Sequence, residues 1–142
     1  MRPMLVLPLV RKYVAGTGFM PSLIMADIQQ ESDFNERAYR ADRNGGSFGL
    51  MQLDVPTARD RGYGGDGLGL YNPELNIRFG VAQFLWIKSE LEKHSAWSIA
   101  NLLAAYNEGV GNVLRGNPDP DYVAKVLGYR AAWQQKLLEG VS

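Results

Sequence analysis

The sequence predicts a mainly α-helical single domain over residues 1–142, interrupted by one short extended segment near residues 47–53. Three observations predict it: apolar residues recur at the 3.6-residue period of a helix, prolines and capping residues stand where helices would begin, and the length is that of one ordinary domain. A chain of 142 residues buries roughly two-thirds of the surface that its unfolded form exposes, so no second domain is needed.

Leu9, Val10, Tyr13 and Val14 recur at helical spacing after Pro8, and Gly16-Thr17-Gly18 stops that first helix. A second helix is expected from Pro21, a favoured first-turn residue, through Leu23, Ile24 and Ile28 to about Ser32. The polar stretch Asp33 to Gly46 ends in the turn signal Asn44-Gly45-Gly46, and Ser47 to Leu53 reads as a short extended piece. Asp54 has the chemistry of a helix N-cap, and the short helix it opens should end in the glycine-rich loop Gly62 to Gly69.

Asn72-Pro73-Glu74 opens the longest helix with a cap, a first-turn proline and an acid at the positive helix end. From Leu75 to about Lys93 its apolar residues fall on most faces, which predicts a helix surrounded by others. Trp97 to Tyr106 reads as a further apolar helix, and Val110 to Leu114 as an added turn. Asp119 and Pro120 then start a last helix with the stripe Tyr122, Val126, Tyr129, Trp133 and Leu137. There is no internal repeat, long linker or low-complexity segment.

Composition narrows the function. Hydrophobic residues make up 46% and charged residues 21%, which fits a soluble globular protein and not a disordered or fibrous one. Fifteen basic residues balance fifteen acidic ones, so nothing marks a nucleic-acid or anionic-lipid partner, and a neutral or mixed-charge polymer is the easier one. With no cysteine, disulfides, thiolate metal sites and a nucleophilic thiol are excluded. No apolar run approaches the ~20 residues of a membrane-spanning helix. The run Met4 to Val10, broken by Pro8 and followed by Arg11, Lys12 and Tyr13, reads as helix and core rather than as a signal peptide.

Chemistry concentrates at Glu31, which closes the second helix on the face that carries Ile24 and Ile28. Apolar neighbours disfavour the charged carboxylate, and the negative end of the helix dipole pushes the same way, so the proton is held as a general acid needs. A solvated glutamate at a helix end is the alternative that this helix alone leaves open. Asp27 lies one turn earlier on the same side, with Cβ atoms expected about 5–6 Å apart. Two carboxyls on one helix project from one wall of a cleft, so Asp27 is not expected to act as a nucleophile across the scissile bond. As an anion it would tune Glu31 by raising its pKa; arginine pairing or plain solvation are the alternatives.

Other patterns match only by letter. Gly62, Gly64 and Gly67 have dinucleotide-fingerprint spacing but follow no strand, and Asn117, Asp119 and Asp121 alternate like calcium ligands but lack the glycine of that loop. His94 stands alone among polar neighbours and reads as a surface residue, so no metal or cofactor is expected. Gln52, between Met51 and Leu53, and Tyr106-Asn107, at the end of an apolar helix, offer amides and a phenol of the kind that suits sugars. Core packing by Tyr106 and capping by Asn107 are the alternatives.

Five segments stand in a common order: Ile24 to Ser32 around Glu31, Gly49-Leu50-Met51-Gln52-Leu53, Tyr71-Asn72-Pro73-Glu74-Leu75-Asn76-Ile77, Ala104-Ala105-Tyr106-Asn107-Glu108-Gly109, and Tyr122-Val123. Together they resemble the soluble-type lytic transglycosylases, the family that includes goose-type lysozymes, across nearly the whole chain. The resemblance implies a lysozyme-like helical domain whose cleft binds peptidoglycan strands of alternating N-acetylglucosamine and N-acetylmuramic acid. It implies Glu31 as the catalytic acid and then base, with Ser32, Gln52, Tyr106, Asn107 and Tyr122 at positions that hold the saccharide or orient the acid. It also implies cleavage to a 1,6-anhydromuramyl end without a second carboxylate. This sequence departs from the family at Asp27, where an apolar residue is common, and at Asp54-Val55-Pro56.

Two other readings are carried forward. A hydrolytic muramidase would use water, positioned by Asp27, Asp33, Asp42 or Asp54; a non-catalytic glycan-binding or structural virion protein would keep the cleft without turnover. A monomer acting on the bacterial cell wall is expected, phage-encoded and released by lysis or delivered by a virion, or exported by a secretion apparatus.

Overall fold

The structure, a computed structural model, describes residues 1–139; positions 140–142 of the expected domain lie outside the described residues. Seven helices carry the fold: α1 (Pro3–Val14), α2 (Pro21–Ser32), α3 (Val55–Asp60), α4 (Pro73–Lys93), α5 (Ile99–Glu108), α6 (Val110–Leu114) and α7 (Pro120–Glu139). Two antiparallel strands of two residues each, β1 (Tyr39–Arg40) and β2 (Ser47–Phe48), pair Tyr39 with Phe48 and Arg40 with Ser47, and a 3-10 turn covers Leu68–Tyr71. The expected mainly helical architecture is the observed one.

Helix α2 is the axis of the site. Pro21 occupies its first turn, and every residue from Ser22 to Ile28 is buried, because α1 and α7 both pack against it. It ends where Asp33 turns left-handed at φ 49°, ψ 44° and returns its N–H to the Gln29 carbonyl. Phe34 follows at φ 62°, which sends the chain back so that its ring meets Trp133 of α7 edge-on at 5.8 Å.

Several expected boundaries move, each for a visible reason. Helix α1 begins at Pro3, in keeping with Met4 to Val10 as helix and core, and Pro8 sits inside it on the exposed side. The hydrogen bond that Pro8 cannot donate would have gone to the Met4 carbonyl, at a residue 56% exposed, which lowers the cost of losing it. The other face of α1 buries Val6, Leu7, Val10 and Val14 in the core. Helix α4 buries Phe84, Ile87 and Leu91 in its second half, but Leu85 and Trp86 face solvent there, so the expectation of a helix surrounded by others holds on part of its surface only. Helix α5 starts at Ile99, where Ser98 accepts a hydrogen bond from the Asn101 N–H at 3.0 Å, and it runs through Asn107 to Glu108.

The segment 47–53 is extended only at Ser47–Phe48. Beyond it the chain doubles back: the Phe48 and Leu53 backbones exchange hydrogen bonds of 2.9 and 3.1 Å around a turn with Gly49 at φ 75° and Gln52 at φ 50°. Its strand partner β1 lies within the stretch that reads as polar loop, because a two-residue strand with both side chains exposed leaves no periodicity.

The apolar interior falls into two clusters. The larger joins α1, α2, α4, α5 and α7 through Ile24, Ile28, Ile77, Phe84, Leu103 and Val126, among others. The smaller gathers Leu53, Ala58, Tyr63, Leu70 and Phe79 beneath the strands, α3 and the 3-10 turn. The segment 47–53 joins the two, since Leu50 and Met51 belong to the larger and Leu53 to the smaller.

Candidate active site

Glu31, in the last turn of α2, opens onto a polar cleft of about 640 Å³. The cleft runs between the strand side, with Arg40, Asp42 and Gln52, and the end of α5, with Tyr106 and Asn107. Burial raises the Glu31 carboxyl above the ordinary glutamate value, while the Tyr122 hydrogen bond and the Arg40 charge oppose that rise. Tyr122 reaches in from α7 and donates its hydroxyl to Glu31 Oε1 at 2.9 Å. Burial and the two nearby acids push the Tyr122 phenol far up, so it stays a donor.

Asp27 lies behind Glu31 and is completely buried. Both alternatives expected for it are overturned, since it touches no water-accessible surface and no ion pair among the described residues includes it. Its Oδ1 is 3.4 Å from the Tyr122 hydroxyl, and its Oδ2 has no partner. Burial, followed by repulsion from Glu31, raises its carboxyl well above the usual aspartate range, against a lowering by the Tyr122 hydrogen bond.

The turn 48–53 is held from three helices, which gives physical content to the segment Gly49 to Leu53. Ser32 of α2 donates its hydroxyl to the Leu50 carbonyl at 2.8 Å. Tyr106 of α5 donates to the Met51 carbonyl at 2.6 Å while its ring packs edge-on against Phe84 at 4.7 Å. Asn76 of α4, fully buried, accepts from the Met51 N–H and donates to the Phe48 and Leu70 carbonyls, each at 2.8 Å. Gly49 is required here: a Cβ would stand 2.6 Å from both the Asn76 amide and the Leu70 carbonyl, at a φ of 75°.

The residues expected to meet saccharide therefore divide. Gln52, Tyr106 and Asn107 line the cleft with Glu31, whereas Ser32 and Tyr122 are not among its lining residues. Gln52 commits its amide nitrogen to the Ala38 and Gly49 carbonyls at 3.1 and 3.0 Å. Asn107 is exposed at the end of α5.

Sequence reading passes over Arg40 and Gln83 and quotes Asn76 only within a family segment, with no role. An amide inside an apolar helix is the signal that marks Asn76 and Gln83, because burial of a polar group demands partners or a cleft. Arg40 gives no such signal. Asp42 entered only as a water-positioning candidate, yet its carboxylate shapes the cleft rim, accepting from the Asn44 and Gly46 N–H groups and the Ser47 hydroxyl at 2.7–2.9 Å. Asp119 caps α7 through the Asp121 and Tyr122 N–H groups, as its capping role predicts.

A family profile for the transglycosylase SLT domain matches residues 8–121. The chain is 36% identical over 123 residues to the membrane-bound lytic murein transglycosylase C of Haemophilus influenzae (strain PittEE), covering 77% of this chain and 32% of that protein. Identity is also 36%, over 119 residues and with the same coverage, to the protein of that name from Actinobacillus pleuropneumoniae serotype 5b (strain L20). The chain thus spans about a third of the length of these curated relatives. Its fold is similar to that of an inactive mutant of the lytic transglycosylase Slt from Pseudomonas aeruginosa, with a TM-score of 0.78, 26% identity, and coverage of 92% of this chain and 24% of that one. It is likewise similar to the 70-kDa soluble lytic transglycosylase in its complex with bulgecin A, with a TM-score of 0.75, 27% identity and the same coverage.

Proposed function

The chain belongs to the transglycosylase SLT domain family, and we propose that it is a catalytic domain of that kind, cleaving the β-1,4 bond between N-acetylmuramic acid and N-acetylglucosamine in peptidoglycan. The observation that carries the proposal is one carboxyl, Glu31, whose pKa burial raises, set at the wall of a polar cleft and fixed by Tyr122. Such a group keeps its proton to higher pH than an exposed glutamate and can give it to a leaving oxygen.

In the proposed reaction Glu31 protonates the bridging oxygen as its bond to the anomeric carbon breaks, with the acetamido group of the sugar assisting. Glu31 then takes the proton of the muramic 6-hydroxyl as that oxygen bonds to the anomeric carbon. The proton is returned, no water is consumed, and a 1,6-anhydro end is left. Gln52 and Asn107 are the residues we assign to the saccharide, with Tyr106 forming the wall between them. Ser32 and Tyr122 are assigned to support, Ser32 of the turn 48–53 and Tyr122 of the acid.

Hydrolysis instead requires a carboxylate to position water. Of its candidates, Asp27 is buried and Asp33 does not line the cleft; Asp42 and Asp54 do line it, Asp42 tied by three hydrogen bonds to its own loop and Asp54 capping α3 through the Thr57 N–H at 2.7 Å. That arrangement supports attack by the sugar hydroxyl.

Glu31→Gln tests the assignment of the acid. It should lower turnover of purified peptidoglycan by at least about 100-fold while preserving the circular dichroism spectrum and sedimentation with insoluble glycan, since only the transferable proton is lost. Turnover at the wild-type rate would refute it.

A further inference from the structure

The arrangement behind Glu31 contains more acid than the proposed reaction uses. Asp27 and Glu31 both approach one tyrosine hydroxyl, at 3.4 and 2.9 Å, and a tyrosine hydroxyl has a single proton to donate. Two ionised carboxylates cannot share it. The shorter contact gives the proton to Glu31, so the Tyr122 oxygen faces Asp27 as an acceptor, and Asp27 must supply a proton of its own. With that proton on Oδ1, the unpartnered Oδ2 is the carbonyl oxygen of a neutral acid, the atom cheapest to leave without a donor.

We propose that Asp27 is a positioning residue for the catalytic acid: its buried carboxyl keeps its proton, donates it to the Tyr122 oxygen, and so directs the hydroxyl proton of Tyr122 onto Glu31. The inference rests on the reading of Glu31 as the acid. It changes how Asp27 acts, since an aspartate that tunes Glu31 by repulsion would have to be charged. A chain of donors polarises each successive bond, so Tyr122 becomes a stronger donor to the Glu31 carboxylate at the stage when Glu31 has given its proton away.

The charged and titratable groups around this chain agree with a neutral Asp27. They are Glu31 on α2, Tyr122 on α7, Tyr106 on α5 and Arg40 on β1, and only Arg40 is cationic. Arg40 lines the open cleft, where it acts on Glu31. Burial raises the Asp27 carboxyl well above the ordinary range, in keeping with a retained proton.

The test combines carbon-detected NMR titration of the Asp27 and Glu31 carboxyls with pH profiles of kcat and KM on soluble glycan oligomers. The proteins are wild type, Asp27→Asn, Asp27→Leu, Tyr122→Phe and Asp27→Leu/Tyr122→Phe. We expect Asp27 to remain protonated at neutral pH. Asp27→Asn, whose amide also donates to Tyr122, should keep kcat within about threefold and leave the Glu31 midpoint and the basic limb where they are. Asp27→Leu should raise Tm by removing a buried polar group yet lower kcat about tenfold at unchanged KM, with the Glu31 midpoint moved up. The double variant should lose no more than Tyr122→Phe alone, because Asp27 acts through Tyr122. An ionised Asp27, a Glu31 midpoint moved down in Asp27→Asn, or additive losses in the double variant would each overturn the proposal. The titrations need no turnover, so an inactive wild type would sink the functional reading while leaving this one to be decided by NMR.

Discussion

Glu31 and Asp27 stand four positions apart on one helix, and burial separates their roles. Their spacing is legible in the sequence, as is the apolar setting that raises Glu31. The depth of Asp27 is not, because an aspartate after Ala26 reads as a helix residue until α7 is known to cover it with Tyr122. That burial has a consequence for stability. The unfolded chain releases the Asp27 proton near pH 3.9, whereas the folded chain holds it well beyond, so the native state binds more protons through that interval. The contribution is fully present below the unfolded value and is lost as pH rises through the folded one. Urea unfolding from pH 4 upward should show stability falling with pH, and Asp27→Asn should flatten that slope by up to about 1.4 kcal/mol per pH unit. Glu36, Asp42 and Glu74, held low by a terminal amine, Ser47 and Lys12 respectively, act in the opposite sense at lower pH and are common to both proteins. An unchanged slope would mean that Asp27 binds no more protons in the folded chain than in the unfolded one.

Among the elements, the turn 48–53 ties one wall of the cleft to three helices, and it is the one whose form the sequence conceals most. Its glycine and glutamine mark a turn only once their positive φ values are known, and its partners come from residues 32, 76 and 106. Helix starts, by contrast, are read directly from capping chemistry: Asp54 accepts from the Thr57 N–H and Asn72 from the Leu75 N–H, as their positions predict. Asn76 bears the greatest share of the turn. Asn76→Ala leaves the buried Met51 N–H and Leu70 carbonyl without their partner and removes one of the two hydrogen bonds to the Phe48 carbonyl, which should cost about 3 kcal/mol or more. Activity should fall further than stability explains at temperatures where the variant is folded, because Gln52 and Glu31 lose their common frame. Denaturant unfolding beside turnover measures both; a loss below about 1 kcal/mol would show that the turn is held elsewhere.

At the scale of the whole molecule, long-range order comes from α2, which meets α1 on one side and α7 on the other and so brings residue 122 to residue 31. The mainly helical class and most helix starts follow from periodicity and caps, while the gathering of Glu31, Gln52, Tyr106 and Asn107 at one cleft follows from packing that no local pattern records. Family order was the sequence feature that brought these residues together, and the cleft gives them a shared surface. The central claim is that the proton Glu31 recovers comes from the sugar itself. Mass spectrometry of the muropeptides released from purified peptidoglycan tests it most directly: the account predicts 1,6-anhydromuramyl ends, lighter by one water than reducing ends, and a digest dominated by reducing ends would contradict it.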